Sequence, residues 1–240
     1  ANQRKHYVEA GVGRALAKLW DKGHCTREAL FLQTKYTFPR GQDERLPYDP
    51  KADVMTQVHQ SFHSSLKHLK TAYLDSFILH GPSTKDGLVD EDYQAWRAME
   101  ELYDEGEVHH LGVSNVSSEQ LEELLRNVRV KPSFVQNRCY AKSGWDAVVQ
   151  EICMRQGMRY QGFSLLTANR EELMKPAVRA ISSERNATMP QIVFAFARQI
   201  GMIPLTGTSS ETHMREDLES LQLQLSREEL LAIAKVGLVK

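Results

Sequence analysis

Cysteine is scarce in this chain. Cys25, Cys139 and Cys153 are the whole supply, an odd number with no metal-binding spacing. That argues against a disulfide framework and a cysteine zinc site, and for free thiols in a reduced, cytoplasmic setting. Net charge is nearly absent as well: 30 Lys and Arg stand against 31 Asp and Glu. No broad basic field for nucleic acid or anionic lipid is indicated, so neither is expected as a partner. Long apolar runs are missing too; none approaches the roughly 20 residues of a membrane-spanning helix. The first stretch, ANQRKHYVEAG, lacks the apolar core of a signal peptide. No internal repeat, low-complexity tract or linker breaks the chain.

What is present is a globular composition, 41% hydrophobic and 25% charged over 240 residues. The expectation is one domain over residues 1–240, since a single α/β barrel of this size is ordinary. Short apolar runs alternate with longer amphipathic segments, the order of βα units around a parallel sheet. Strands are expected at 29–34, 74–79, 108–113, 133–136, 159–163 and 201–205, after a leading helical segment at 9–22. Asp49-Pro50 is read as the start of a helix running to Leu69. Ser117 with Gln120, Thr188 with Gln191 and Ser226 with Glu229 have capping-box spacing. Such strands form either an open doubly wound sheet or part of a closed barrel.

In both architectures, sites form at the C-terminal ends of strands. Those ends carry Lys35 in TKYTFP, His80 in ILHGP, Ser114-Asn115 in GVSN, Gln136 in FVQN, Phe163-Ser164 in GFSLL, and 204–208 in PLTGT. Taken singly, Lys35 reads as readily as a surface lysine and His80 more readily as a structural histidine. Their joint placement points elsewhere. An ammonium beside a phenol lowers its pKa, and a phenol is a suitable acid for a developing alkoxide. Histidine can donate to a carbonyl, amide and hydroxyl groups can hold a carboxamide, and an aromatic ring can stack on a flat one.

These residues resemble the aldo-keto reductase family. TKYTFP, ILHGP, the segment WRAMEELYDEGEVHHLGVSNVSSEQLEELL, FVQN, GFSLL and IPLTGTSSETHMREDL occur in the family's order over nearly the whole chain, with Gly-Val-Ser-Asn the most specific piece. The resemblance implies a (β/α)8 TIM barrel whose first two strands are expected to lie outside this sequence. It implies NAD(P)H-dependent reduction of a small-molecule aldehyde or ketone. Lys35 and His80 match two members of the family's catalytic tetrad. Tyr7, in HYVEAGVG, matches the proton donor, at a spacing one residue shorter than the commonest version, which brings in His6. Ser114, Asn115 and Gln136 match carboxamide ligands, and Phe163 takes the place of a stacking tyrosine. Ser164, Leu166, Pro204, Thr206, Gly207, Thr208, Ser209, His213 and Asp217 complete the implied cofactor set. No metal is implied.

Three departures follow. The tetrad carboxylate belongs to an Asp-Thr-Ala motif of which Ala1 matches only the alanine. Leu205 and His213 stand where the family often has lysine and arginine for an adenosine 2′-phosphate. NADP(H), which the resemblance implies, is still expected ahead of NAD(H), with hydroxyls and backbone amides of 206–210 in place of those cations as the phosphate ligands. Gly81 stands where a bulky aromatic is common, which implies a wider substrate pocket. The missing carboxylate keeps a second reading open, a nucleotide-binding regulatory or impaired relative. A barrel lyase using Lys35 as a Schiff base is a third. Other signals are set aside: Gly11-Val-Gly13 as helix packing, His59 and His63 as an outer helix face, and the tryptophans as packing. The polar loop 39–50 reads equally as a border of the site or as plain solvent loop.

Overall fold

Leu74, Phe77, Ile78 and Leu79 are all buried, so LDSFIL forms a strand covered on both faces. In the computed structural model, which describes residues 1–238, this strand is the centre of the first of two compact units, Ala1–Phe134 and Val135–Lys240. The first unit holds β1 (Gln33–Tyr36), β2 (Leu74–Leu79) and β3 (Val108–Ser114). All pair in parallel, with Lys35 opposite Ile78 and Ile78 opposite Gly112. Helices α1 (Glu9–Asp21), α2 (Val54–Leu69), α3 (Asp90–Asp104) and α4 (Ser118–Asn127) alternate with them.

The expected first strand at 29–34 starts later than its apolar residues suggest. Arg27 accounts for the shift. Its guanidinium binds Thr71 Oγ1 (2.8 Å), the Leu30 carbonyl (2.9 Å) and Asp75 Oδ2 (2.8 Å). This holds Arg27–Ala29 in a 3-10 turn. The helix expected from Asp49 begins at Val54 instead. Asp49 Oδ1 accepts from the Lys51 N–H (2.9 Å), closing a local turn, and Asp53 caps the helix through the Thr56 N–H (2.9 Å). Gly13 sits inside α1 as a packing residue: a Cβ there would lie 1.8 Å from the His68 carbonyl oxygen of α2. The core below includes Phe62 and Phe77, edge to face at 5.2 Å, with Trp96, Met99 and Leu111.

The second unit is built around β4 (Phe134–Arg138), which starts at the boundary, β5 (Arg159–Phe163) and β6 (Ile203–Pro204). Strands β5 and β6 pair in parallel. The last strand was expected over 201–205 but holds two residues, because Pro204 has no N–H to extend a ladder. The next contact is the Leu205 N–H to the Gly162 carbonyl at 2.8 Å. Around them run α5 (Ala147–Arg155), α6 (Arg170–Leu173), α7 (Pro176–Glu184), α8 (Met189–Gln199), α9 (Glu211–Glu219) and α10 (Arg227–Lys235). The three capping boxes read from the sequence cap α4, α8 and α10. Fully buried Asn169 ties the unit's loops together, bonding the Ala141 N–H (2.7 Å) and the Cys139 (2.9 Å) and Leu165 (2.8 Å) carbonyls. Strands followed by helices in chain order make this an α/β fold. Among the described residues, no helix is long and apolar enough to cross a membrane.

Candidate active site

Strands β1 and β2 end side by side, and their ends carry the first cluster. The His80 N–H continues the ladder onto the Tyr36 carbonyl at 2.9 Å, which fixes His80 just past β2. Its Nδ1 lies 2.7 Å from the Thr37 hydroxyl. The hydroxyl is free to donate, and doing so leaves the proton of a neutral imidazole on Nε2. Burial, and next the charge on Lys35, hold the imidazolium of His80 down to about pKa 4, so the ring is neutral at pH 7. Burial also brings Lys35 down, to about 8. Among the described residues no carboxylate pairs with its ammonium. The Thr37 signal was available in the sequence: it stands two residues after Lys35, on the same side of an extended chain.

Asn115 follows β3 in the left-handed region (φ 54°). That conformation turns its amide back, so that Nδ2 donates to the His80 carbonyl (2.8 Å) and to Ser114 Oγ (3.1 Å). Ser114 is fully buried and Asn115 exposed. A cavity of about 340 Å³ opens beside His80, lined also by Thr37, Arg40, Gly81, Lys85, Asn115 and Gln120. The loop after Lys35 thus borders this cavity through Arg40 and Gly41. A Cβ on Gly81 would meet only ordinary contacts at 3.5 Å, so the glycine leaves open space that a side chain would fill. Arg40 and Lys85 come from loops rather than strand ends and carry no signal in the sequence, and Gln120 is read there only as a helix cap.

Tyr7 lies elsewhere. It is 47% exposed and lines a separate cavity of about 200 Å³ with Arg4, Glu9, Arg45 and His68, which neither Lys35 nor His80 lines. Its neighbour His6, with ring centroids 6.3 Å away, acts weakly on His80, after Lys35 and the N-terminal amine. The histidines of α2 find carboxylates: His59 Nε2 is 2.9 Å from Glu101 Oε2, and His63 Nε2 is 3.4 Å from Glu107 Oε2. Among the described residues, no group of three or more His, Cys, Asp and Glu is arranged to hold a metal ion.

The remaining expected residues lie in the second unit. Gln136 is buried, and its Nε2 donates to Gln161 Oε1 at 2.7 Å. Phe163 is half-buried, with the Arg138 guanidinium 5.5 Å from its ring centre. Ser164 has a φ of 58°, the left-handed region, and Leu166 is half-buried. After β6, the Thr206 hydroxyl donates to Asp217 Oδ2 (2.9 Å) and the Thr208 hydroxyl accepts from the Ser210 N–H (3.1 Å). Ser210 caps α9 through the His213 N–H, and Gly207, Ser209 and His213 are exposed there. Glu211, in the first turn of α9, forms an exposed ion pair with Arg215 at 2.6 Å.

Comparison with known proteins gives these clusters a context. The chain is 27% identical to aldo-keto reductase family 4 member C11 of Arabidopsis thaliana, over 95% of this chain and 73% of that protein. It is 28% identical to glyoxal reductase of Bacillus subtilis, over 92% of this chain and 72% of that one. A solved aldo-keto reductase in complex with NADPH superposes with a TM-score of 0.80 at 22% identity, covering 95% of this chain and 71% of that one. The fold is thus that of the aldo-keto reductases, a (β/α)8 barrel type. The sequence model of the Aldo/keto reductase family matches residues 4–168, and the chain belongs to that family.

Proposed function

We propose that this chain reduces aldehydes or ketones to alcohols with NAD(P)H. The observation that carries the reading is the rim of β1 and β2: a neutral histidine with its Nδ1 satisfied by Thr37, beside a half-buried lysine that pairs with no carboxylate among the described residues. A neutral imidazole with its proton on Nε2 donates a hydrogen bond to a carbonyl oxygen and so orients it. As charge develops on that oxygen, the Lys35 ammonium nearby favours it electrostatically. Tyr7 is the proposed proton donor; its exposed position on the turn before α1 requires that turn to close over the substrate. His6 is a second candidate, as the neighbour of Tyr7 in the same turn.

The donor set suits a nicotinamide cofactor. In the first unit, the exposed amide of Asn115, next to Ser114, carries both a donor and an acceptor suited to an uncharged carboxamide. The half-buried ring of Phe163 offers a stacking face, and the hydroxyls of Thr206, Thr208 and Ser209 suit phosphate oxygens. NADP(H) is proposed ahead of NAD(H) as the default of the family, with the hydroxyls of 206–210 as phosphate ligands. When bound, the reduced cofactor supplies the hydride; the protein's part is to orient the carbonyl and deliver one proton to its oxygen.

Oxidation of NADPH and NADH with aromatic aldehydes tests the reading. Turnover lost in Tyr7→Phe and kept in His6→Phe assigns the proton to Tyr7, and the reverse assigns it to His6. Calorimetric binding of NADPH without turnover on any aldehyde would replace this reading with that of a nucleotide-binding relative.

A further inference from the structure

We propose that the carbonyl substrate carries a carboxylate a few atoms from its carbonyl, held by Arg40 and Lys85; this rests on the carbonyl-reductase reading. Both cations line the cavity of about 340 Å³ beside His80, and no Asp or Glu lines it. Asp43 is paired with Arg45 and Asp90 with Arg97, and neither they nor Glu44 and Glu91 line the cavity. Asp92 is fully buried and accepts from the Ser83 and Val89 N–H groups (2.5 and 2.9 Å), and Asp86 does not line the cavity.

The two cations are positioned and unneutralised. Arg40 anchors one end of its guanidinium, Nη2, on the Pro82 carbonyl. Its other N–H groups have no partner among the described residues, which leaves a fork able to take a carboxylate. Arg45, five residues on in the same loop, is by contrast closed onto Asp43. The Lys85 ammonium also has no partner among the described residues, yet its backbone is fixed. Buried Gln120 donates Nε2 to the Lys85 carbonyl (3.3 Å) and the Gly87 carbonyl (2.8 Å), which pins the loop to the start of α4. A loop held in place before binding loses less freedom on binding.

His80 supplies the other end of the recognition. It is neutral at pH 7, so it addresses the carbonyl oxygen and does not compete for the anion. The substrate therefore places its carbonyl at His80 and its anionic end toward Arg40 and Lys85. A cavity of this volume suits a small molecule such as an oxo acid or a carboxylated aromatic aldehyde.

The test compares 4-carboxybenzaldehyde with 4-methylbenzaldehyde, of similar shape and uncharged, using NADPH at pH 7 and low salt. At about two- to fivefold for each exposed ion pair, two predict a preference in kcat/KM of up to roughly 25-fold for the carboxylate, shrinking as salt rises. Lys85→Gln and Arg40→Gln should each narrow the ratio about two- to fivefold. Lys67→Gln, on α2 and away from this cavity, should leave it unchanged. Equal kcat/KM for the two aldehydes, with turnover intact, overturns the inference and leaves the reductase reading standing. A second arm needs no turnover: calorimetric binding of 4-methylbenzoate against 4-methylbenzamide. If no aldehyde is reduced but the benzoate binds selectively and Lys85→Gln abolishes that selectivity, the anion site stands and the reductase reading falls. Absence of selective binding overturns the anion site.

Discussion

Lys35→Met should inactivate the protein and stabilise it. The Lys35 ammonium is partly buried on β1 and meets no carboxylate among the described residues; burial alone lowers its pKa from 10.5 to about 8. Each tenfold loss of proton affinity corresponds to about 1.4 kcal/mol, so charging this group in the folded state costs up to about 3 kcal/mol. Residual water at the site brings the expected gain to about 1–3 kcal/mol, or a rise in Tm of about 5 °C for a chain of this size. The sign gives a sharper check. The folded pKa is depressed, so the unfolded chain binds more protons between pH 8 and 10.5, and wild-type stability rises across that window. Below pH 8 the advantage of methionine is complete; above 10.5 it vanishes. Urea melts of both proteins at about pH 7, 9 and 10.5 read this directly. A destabilised variant, or a stability difference that stays constant from pH 8 to 10.5, refutes the claim of an unpaired ammonium.

Thr37→Val removes the hydroxyl that satisfies His80 Nδ1 at 2.7 Å. The imidazole proton then loses its preference for Nε2, and kcat/KM should fall about tenfold with little change in cofactor affinity; Thr37→Ser should restore most of it. His80 has a folded pKa of about 4 against an unfolded 6.5, so stability is lost as pH falls from 6.5 toward 4, by about 2–3 kcal/mol. His80→Gln should flatten that part of the pH–Tm curve, and an unchanged acid slope would contradict the burial of His80. Asn169→Ala breaks three buried hydrogen bonds of the second unit and should cost about 2–4 kcal/mol in a urea melt.

The legible part of this fold was set by local chemistry. LDSFIL and RYQGF begin and end where their apolar runs and flanking turns place them, and the three capping boxes lie where Ser or Thr precedes Gln or Glu by three residues. The shifted elements were decided by partners far along the chain. Arg27 reaches Thr71 and Asp75, more than 40 residues on, and that reach turns a predicted strand start into a 3-10 turn. Asp49 and Asp53 both precede candidate first turns, and the choice between them depends on which turn Asp49 closes. The strand-end rule singled out Lys35, His80, Ser114 and Asn115, and the structure places all four at or next to the ends of β1, β2 and β3, because an extended chain delivers its last residues to the rim. The same rule had no access to Arg40 and Lys85. Their place beside His80 depends on loops anchored by Pro82 and Gln120, and no periodicity encodes such anchors.

Tyr7 shows where motif spacing and geometry diverge. Tyr-x-Glu-x-x-Val-Gly aligns the phenol with Glu9, and Glu9 is held firmly: its carboxylate takes the Thr34 hydroxyl and lies 3.0 Å from His68 Nδ1. Everything on the Glu9 side of the turn is thereby fixed to α2 and β1. The residues before it form a turn closed by the His6 and Tyr7 N–H groups, both donating to the Gln3 carbonyl at 3.1 and 3.0 Å. In such a turn, consecutive side chains point in different directions, so a change of one residue in spacing re-aims both His6 and Tyr7. An insertion of one glycine between Tyr7 and Glu9 lengthens the spacing to the family's commoner value. If Tyr7 is the proton donor and the turn is what holds it away, this insertion should raise kcat and leave KM for NADPH unchanged. If His6 delivers the proton, the insertion re-aims it and kcat should drop. An unaltered kcat would mean that neither residue of this turn limits proton delivery.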